Sequence, residues 1–190
     1  MVRMDPLVLA LLVLLVTAVW FALAFNRLVA LRARVENGWA QIDVQLRRRS
    51  DLIPNLVETV QGYAAHEREV FEAITAARAQ SLEARTVGEQ SEAARSVGLG
   101  LRSLLAVAEA YPTLKADANF LALQEELSGT ESKIAYARQF YNDEVMRLNT
   151  AIGSFPSNLI ARTFGFSERE FFDPGDDARA PVRVDFPGGA

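Results

Sequence analysis

The sequence predicts an all-α protein: a single N-terminal transmembrane helix, then an antiparallel four-helix bundle with a short disordered C-terminal tail. Three observations predict this fold class. Residues 6–25 contain no charged side chain. From residue 28 to residue 152, apolar side chains recur at spacings of three and four, the period of an amphipathic helix. Proline and glycine are sparse before residue 153, and no stretch alternates with the period of a strand for long.

The charge-free run from Pro6 to Phe25 is long enough to cross a bilayer, because a helix of that length spans about 30 Å. Asp5 can cap its start, and Pro6 suits a first helical position, where no N–H is needed. Two alternatives stay open. Ala22-Leu23-Ala24 has the small-x-small form of a signal-peptide cleavage site, and a buried helix of a soluble core is also apolar.

Flanking charges predict the orientation of this helix. Arg3 and Asp5 precede it, whereas several arginines follow it, beginning with Arg27, Arg32 and Arg34. That excess favours a single-pass protein of the cell (inner) membrane with most of the chain in the cytoplasm. The same three arginines are predicted to contact lipid headgroups.

The net charge of −4 is unevenly distributed along the chain. Residues 26–50 hold six arginines against two acidic side chains, whereas residues 51–190 hold 13 basic and 21 acidic side chains. The acidic distal part argues against nucleic-acid binding. The chain has no cysteine, which excludes disulfides, thiolate zinc sites and thiol nucleophiles.

The first helix beyond the anchor carries apolar residues from Leu28 to Leu46 and is expected to continue from the transmembrane helix without a joint. Ser50 and Asp51 can cap a new helix, and Pro54 cannot donate a backbone hydrogen bond. A turn or sharp kink is therefore predicted near residues 49–54. One kinked helix is the alternative, since the apolar phase carries across.

Two further helices are predicted next, over about 53–84 and 92–110, with a loop at 85–91 between them. Gly98 and Gly100 weaken the latter helix, by about 1 kcal/mol each relative to alanine, unless a neighbouring helix needs close approach there. Tyr111-Pro112 is expected to end it.

The last long helix is predicted to start after Asp117 and to end before Phe155-Pro156, with an apolar stripe from Phe120 to Ile152. Amphipathic helices joined by short loops bury their stripes by packing as a bundle. The expected domains are an anchor at 1–26, a helical bundle at 27–166 and an extended or disordered tail at 167–190.

Few side chains suggest chemistry. His66 is the only histidine, and His66-Glu67-Arg68-Glu69 has the His-x-x-Glu spacing once. A metal site needs several convergent ligands, and helical-bundle iron sites use paired Glu-x-x-His motifs. No catalytic residue, metal or cofactor is therefore predicted, and the protein is not expected to be an enzyme.

The run Arg47-Arg48-Arg49 is predicted to be a solvated patch, a cap paired with Asp51, or a surface for a protein partner. Several amides lie on or beside the apolar stripes, where they either bond between helices and fix their register or face water. They are Asn37, Gln41, Gln45, Asn55, Asn142 and Asn149.

Aromatic residues concentrate again at 155–166 and at Phe171-Phe172. In an up-down-up-down bundle the last helix returns toward the membrane. Leu159, Ile160, Phe164 and Phe166 are therefore predicted to touch the lipid interface. The alternative is a plug for the open end of the bundle.

Ordered blocks along most of the chain resemble the LemA family. Among them are Trp39–Leu46, Asp51–Val57, Gly62–Glu67, Ala108–Pro112, Leu123–Leu127, Phe155–Asn158 and Pro181–Phe186. The resemblance implies a membrane helix followed by a four-helix bundle, with no established activity and no agreed catalytic residues. It also implies kinship with magnetosome-membrane proteins and with proteins found beside membrane metalloproteases.

The expected function is a membrane-anchored helical scaffold or adaptor that organises protein partners or the membrane. The expected partners are the lipid bilayer, unidentified proteins and, through a homo-oligomer, further copies of the chain. The alternatives are a regulator of a neighbouring membrane protease, which the family resemblance alone suggests, and an enzyme with an unrecognised site.

Overall fold

The computed structural model describes residues 5–172, and all regular secondary structure in that range is helical. This confirms the all-α class; the antiparallel four-helix arrangement stays a prediction. The helices are α1 Pro6–Gln61, α2 Arg68–Glu83, α3 Val87–Glu109, α4 Pro112–Lys115, α5 Ala118–Gly153 and α6 Ser157–Thr163.

The chain divides into two compact units, and the long helices α1 and α5 contribute to both. The first unit holds residues 5–45 and 132–171 of the described chain. The second unit holds residues 46–131 and Phe172. Its core contains buried side chains of α1, α2, α3 and α5, among them Ile53, Ile74, Leu104 and Phe120.

The apolar part of α1 is long and hydrophobic enough to cross a membrane, and its most hydrophobic stretch is not buried against the protein. Leu11 and Leu14, for example, keep more than half of their surface exposed. A buried core helix would cover such side chains, so the soluble-core alternative does not fit. The transmembrane helix and the cleaved signal peptide both remain compatible with an exposed apolar helix.

The predicted turn at 49–54 is wrong, and the alternative of a single helix is right, because α1 continues through Pro54 to Gln61. The break lies at 62–67 instead, so the predicted helix over 53–84 is also wrong. Glycine at position 62 lowers helix propensity there. Tyr63 and Ala64 then bond back to the Val60 carbonyl and close a turn.

Helix α3 begins at Val87, inside the predicted 85–91 loop. Thr86 Oγ1 accepts from the Glu89 amide over 3.1 Å, and the Glu89 carboxylate accepts from the Thr86 amide over 3.0 Å. This reciprocal capping box satisfies two amides that the first helical turn leaves without partners. The sequence Thr-x-x-Glu at 86–89 is a start signal that the prediction overlooked.

The predicted limits of the last long helix are confirmed. Asp117 Oδ1 accepts from the Phe120 amide over 3.0 Å, and α5 ends at Gly153, before Phe155-Pro156. A further short helix, α6, follows that proline. Residues 167–172 have no regular structure, and the rest of the predicted tail, 173–190, lies outside the described residues.

Close approach explains one of the two α3 glycines. A Cβ atom on Gly100 would lie 2.7 Å from Ile74 Cδ1 and 3.2 Å from Ile74 Cα, so α2 and α3 pack closely only because Gly100 has no side chain. A Cβ on Gly98 would meet nothing within 4 Å, so close packing does not account for Gly98.

Candidate functional site

Four phenylalanines form a cluster where the apolar segment of α1 ends. The Phe164 ring lies 5.0 Å from that of Phe25 and 5.8 Å from that of Phe21, and Phe166 lies 5.9 Å from Phe25. These centroid distances and tilted or edge-on angles are favourable for aromatic pairs. Phe21, Phe25, Phe164 and Phe166 are called the aromatic cluster below. It joins the C-terminal aromatic stretch directly to the last turns of the charge-free run.

The end of α6 explains how Phe164 and Phe166 both reach α1. Gly165 has φ +70°, a left-handed conformation that glycine adopts without steric cost. The Phe166 amide donates to the Ala161 carbonyl over 2.9 Å, the long hydrogen bond of a Schellman motif. The sequence Phe-Gly-Phe therefore reverses the chain at the helix end and places both rings on one side.

The arginines predicted to contact headgroups differ in their surroundings. Arg32 lies over the Phe166 ring, 5.4 Å from its centroid, and its Nε is 3.9 Å from Glu36. A cation on an aromatic face is favourable, so Arg32 belongs to the edge of the aromatic cluster. Arg27 and Arg34 are exposed and make no hydrogen bond or ion pair with another residue in the range 5–172.

The predicted interfacial segment splits into exposed and buried members. Leu159 and Phe164 keep 58% and 50% of their surface exposed, whereas Ile160 keeps 3%. Phe166 is partly covered by Phe25 and Arg32. Leu159 and Phe164 are therefore available to an outside surface, while Ile160 anchors α6 to the protein.

The irregular segment after α6 is fastened to α5. Asn149 bonds both the amide and the carbonyl of Arg169 over 2.9 Å, and the Tyr141 hydroxyl donates to the Glu170 carbonyl over 2.8 Å. Burial raises the pKa of Tyr141, which keeps the phenol protonated as a donor.

Two of the predicted amide contacts do not join helices. Asn149 bonds the backbone of the segment after α6, and Asn37 and Gln41 bond each other within α1.

The three consecutive arginines lie in the second unit. Arg48 is exposed and pairs with Glu126 over 2.9 Å. Arg49 is 4% exposed; it pairs with Glu131 over 3.2 Å and donates to the Ala94 carbonyl over 3.0 Å. Arg49 therefore departs from the predicted surface patch, and both side chains pair with α5 carboxylates rather than with Asp51.

His66 is exposed within the break at 62–67. Across residues 5–172, no group of three or more His, Cys, Asp or Glu side chains could hold a metal ion. The neighbouring Tyr63 hydroxyl donates to Asp117 Oδ2 over 3.2 Å, and the charge of Asp117 raises the pKa of Tyr63. That contact ties the break to the start of α5.

The sequence reasoning missed Glu144 and Arg147. Glu144 is 3% exposed, its Oε1 accepts from Arg147 over 2.8 Å, and its buried Oε2 has no partner among residues 5–172. The sequence could have indicated this pair, because Glu144 lies between Tyr141 and Val145 of the apolar stripe and Arg147 follows it by three residues.

The model of the LemA family matches residues 38–186. The chain is similar to the magnetosome proteins MamQ 1 and MamQ 2 of Paramagnetospirillum magneticum and MamQ of Magnetospirillum gryphiswaldense. Each is 24% identical over 184 residues, covering 83% of this chain and 68% of the relative. The family model spans most of the chain, which confirms the resemblance: this protein belongs to the LemA family.

Proposed function

We propose that this protein is a membrane-anchored helical scaffold that holds its helical part next to the cytoplasmic face of the cell membrane and binds protein partners there. The observation that carries the proposal is the continuity of α1. One helix contains both the apolar segment and residues 26–61, with no break between them. Within the first unit, residues 26–45 extend about 30 Å beyond the apolar segment. A continuous helix transmits the position of the anchor to the residues that partners would contact.

The aromatic cluster and the arginines support the orientation. The cluster ties α6 to Phe21 and Phe25, at the end of the charge-free run. Aromatic side chains are enriched at membrane interfaces, and an excess of arginine after the helix favours a cytoplasmic location. The exposed edges of Leu159 and Phe164 would then meet the headgroup region.

Exposed aromatic side chains on α5 support a role in binding protein. Tyr136 and Phe140 lie one turn apart and keep 73% and 40% of their surface exposed. Tyrosine and phenylalanine are enriched in the cores of protein interfaces. The exposed Arg48 of the predicted arginine surface provides a second position at which to search for a partner.

A photo-crosslinking amino acid at position 136 of the full chain tests the proposal in native membranes. A scaffold should yield a discrete protein adduct, and Phe140→Ser should weaken it because the neighbouring contact is lost. The same probe at Leu82, which is 55% exposed in the second unit, is the matched control. An adduct of twice the chain mass identifies a homo-oligomer. The absence of a protein adduct at 136 and at 48, or an equal adduct at the control position 82, would argue against a scaffold.

Membrane attachment is tested separately. The full chain should stay with membranes after alkaline extraction, and deletion of residues 6–25 should release it. The cleaved-signal alternative predicts an intact mass that lacks about the first 24 residues. Protease protection in sealed vesicles reports the side on which the helical part lies.

A further inference from the structure

A groove of about 620 Å³ opens in the first unit between α1 and the end of α5. On the α1 side it is lined by Trp20, Leu23 and Arg27, which recur at helical spacing. These residues occupy a different face of α1 from Phe21 and Phe25. The groove is therefore separate from the aromatic cluster, although both lie at the same level of the helix.

Two arginines supply positive charge to the groove. Arg27 is exposed and has no hydrogen-bond or ion-pair partner among residues 5–172. Arg147, from α5, is 56% exposed and uses one guanidinium nitrogen to bind Glu144. A guanidinium carries five N–H donors, so Arg147 retains donors for a second acceptor. No acidic side chain is among the described residues that line the groove.

The polar and apolar ends of the groove are ordered along α1. Arg27 lies two residues beyond Phe25, where the charge-free run ends. Leu23 lies four residues before Arg27, about 6 Å closer to the centre of the apolar segment. Ser154 and Thr150 add hydroxyls on the α5 side, whereas Phe155 is 80% exposed and adds apolar surface. The groove thus pairs cationic and hydroxyl groups with an adjoining apolar wall.

We propose that this groove binds one anionic phospholipid of the surrounding bilayer. The lipid phosphate would accept hydrogen bonds from Arg27 and Arg147, because guanidinium groups match phosphate oxygens in geometry and charge. An acyl chain would lie along Trp20 and Leu23. The apolar wall favours a lipid over free phosphate, which has nothing to place there. The inference rests on the part of the proposed function that inserts residues 6–25 into the bilayer.

Trp20 is a built-in reporter of this site. The chain has two tryptophans, so Trp39→Phe leaves Trp20 as the only one. The full-length W39F protein is reconstituted in phosphatidylcholine bilayers. Two samples then receive the same mole fraction of a lipid that is brominated on its acyl chains, phosphatidylglycerol in one and phosphatidylcholine in the other. The brominated lipid quenches Trp20 fluorescence on contact. We expect phosphatidylglycerol to occupy the position next to Trp20 at least about fivefold more readily than phosphatidylcholine does. This factor corresponds to the attraction of one basic side chain to an anionic lipid.

Variants in the W39F background separate the groove from general surface charge. Arg27→Gln with Arg147→Gln should bring the preference close to one. Arg34→Gln removes an exposed arginine outside the groove and should leave the preference unchanged. Arg147→Gln leaves the buried Glu144 without its cation, so R27Q alone, which should lower the preference about fivefold, keeps the test valid if the double variant does not fold.

The failures are distinguishable. Equal quenching by both lipids would contradict the lipid site in the groove, but it would still agree with insertion of residues 6–25 into the membrane. A preference that R27Q leaves unchanged, or that R34Q lowers to the same extent as R27Q, also contradicts the groove proposal, because either result indicates diffuse attraction. An absence of quenching by either lipid overturns the groove and the membrane insertion of residues 6–25 together.

Discussion

Arg78 Nε donates a hydrogen bond to the carbonyl oxygen of Ser50 over 2.8 Å. Pro54 lies four residues after Ser50 and has no N–H, so α1 leaves that carbonyl without its intrahelical donor. Helix α2 therefore supplies the hydrogen bond that the proline removes. The Ser50 and Ser81 hydroxyls, 3.0 Å apart, add a second contact between the same two helices. These bonds show how α1 continues through residues 49–54.

Arg78→Ala should destabilise the protein by about 1–3 kcal/mol, the cost of leaving a buried acceptor without a partner. Pro54→Ala restores a backbone N–H that can reach the Ser50 carbonyl from within α1. In the P54A background, R78A should therefore cost less than it does alone. Chemical unfolding of the four proteins of this cycle measures the difference. Equal costs in both backgrounds would show that Arg78 acts independently of the proline.

Local signals predicted the elements whose ends are set by neighbouring residues. Asp117 marks the start of α5 because its side chain caps a turn three residues away. The course of α1 through Pro54 could not be predicted in the same way, because it depends on Arg78, 28 residues from Ser50. The sequence leaves a turn or kink at 49–54 and one kinked helix both open, and the distant Arg78 donor favours the single helix.

In the candidate site, too, some features follow from the sequence and others depend on distant residues. The return of Phe164 and Phe166 toward the anchor followed from the expected topology of a bundle. Their pairing with Phe25 depends on the left-handed Gly165, which the sequence Phe-Gly-Phe permits but does not require. Arg49 looked like a surface residue because its run is charged. Its burial depends on Ala94 and Glu131, which are 45 and 82 residues away.

The two glycines of α3 should respond in opposite directions to alanine. Gly100→Ala places a Cβ 2.7 Å from Ile74 Cδ1 and should cost about 1–3 kcal/mol through overpacking. Gly98→Ala, the matched control, meets open space and should stabilise the helix by about 0.5–1 kcal/mol. Ile74→Val removes the nearest atom and should recover part of the G100A loss. Thermal unfolding of each variant measures these shifts, and destabilisation by both glycine changes would contradict the packing argument.

Phe25 and Phe164 should be energetically coupled. Their rings are 5.0 Å apart at an interplanar angle of 66°, an edge-on arrangement whose coupling is about 0.5–1.5 kcal/mol. Alanine substitutions, singly and together, give the coupling energy from unfolding in detergent micelles. Phe155 is 80% exposed and makes no ring contact with residues 5–172, so the pair Phe25 and Phe155 is the control. Coupling no larger than that of the control pair would remove the aromatic cluster as a fastening of α6.

The α3 cap should weaken in acid. Hydrogen bonds from the Arg85 and Thr86 amides lower the pKa of Glu89 below that of an unfolded glutamate. Its contribution to stability is therefore complete above the pKa of an unfolded glutamate, about 4.3, and is lost as the pH falls through the lower pKa of the folded state. Hydrogen-exchange protection of the Thr86 amide should fall over that window in the native protein and change less in Glu89→Gln. The Gln90 amide, which bonds the Thr86 carbonyl, reports whether the whole helix end frays.

Arg48 and Arg49 are adjacent, yet methionine at each position should have different effects. Arg48 forms an exposed pair with Glu126, and such pairs contribute less than about 1 kcal/mol. The guanidinium of Arg49 is buried and bonds both Glu131 and the Ala94 carbonyl, so Arg49→Met removes charged hydrogen bonds that stabilise by about 1.5–3 kcal/mol. The free energies of unfolding of the two variants measure this difference between neighbouring residues of one helix. If Arg49→Met is as mild as Arg48→Met, the buried contacts of Arg49 contribute little to the stability of the fold. If it is the more severe, Arg49 acts in stability, and the exposed Arg48 stays the position of that run at which to search for a partner.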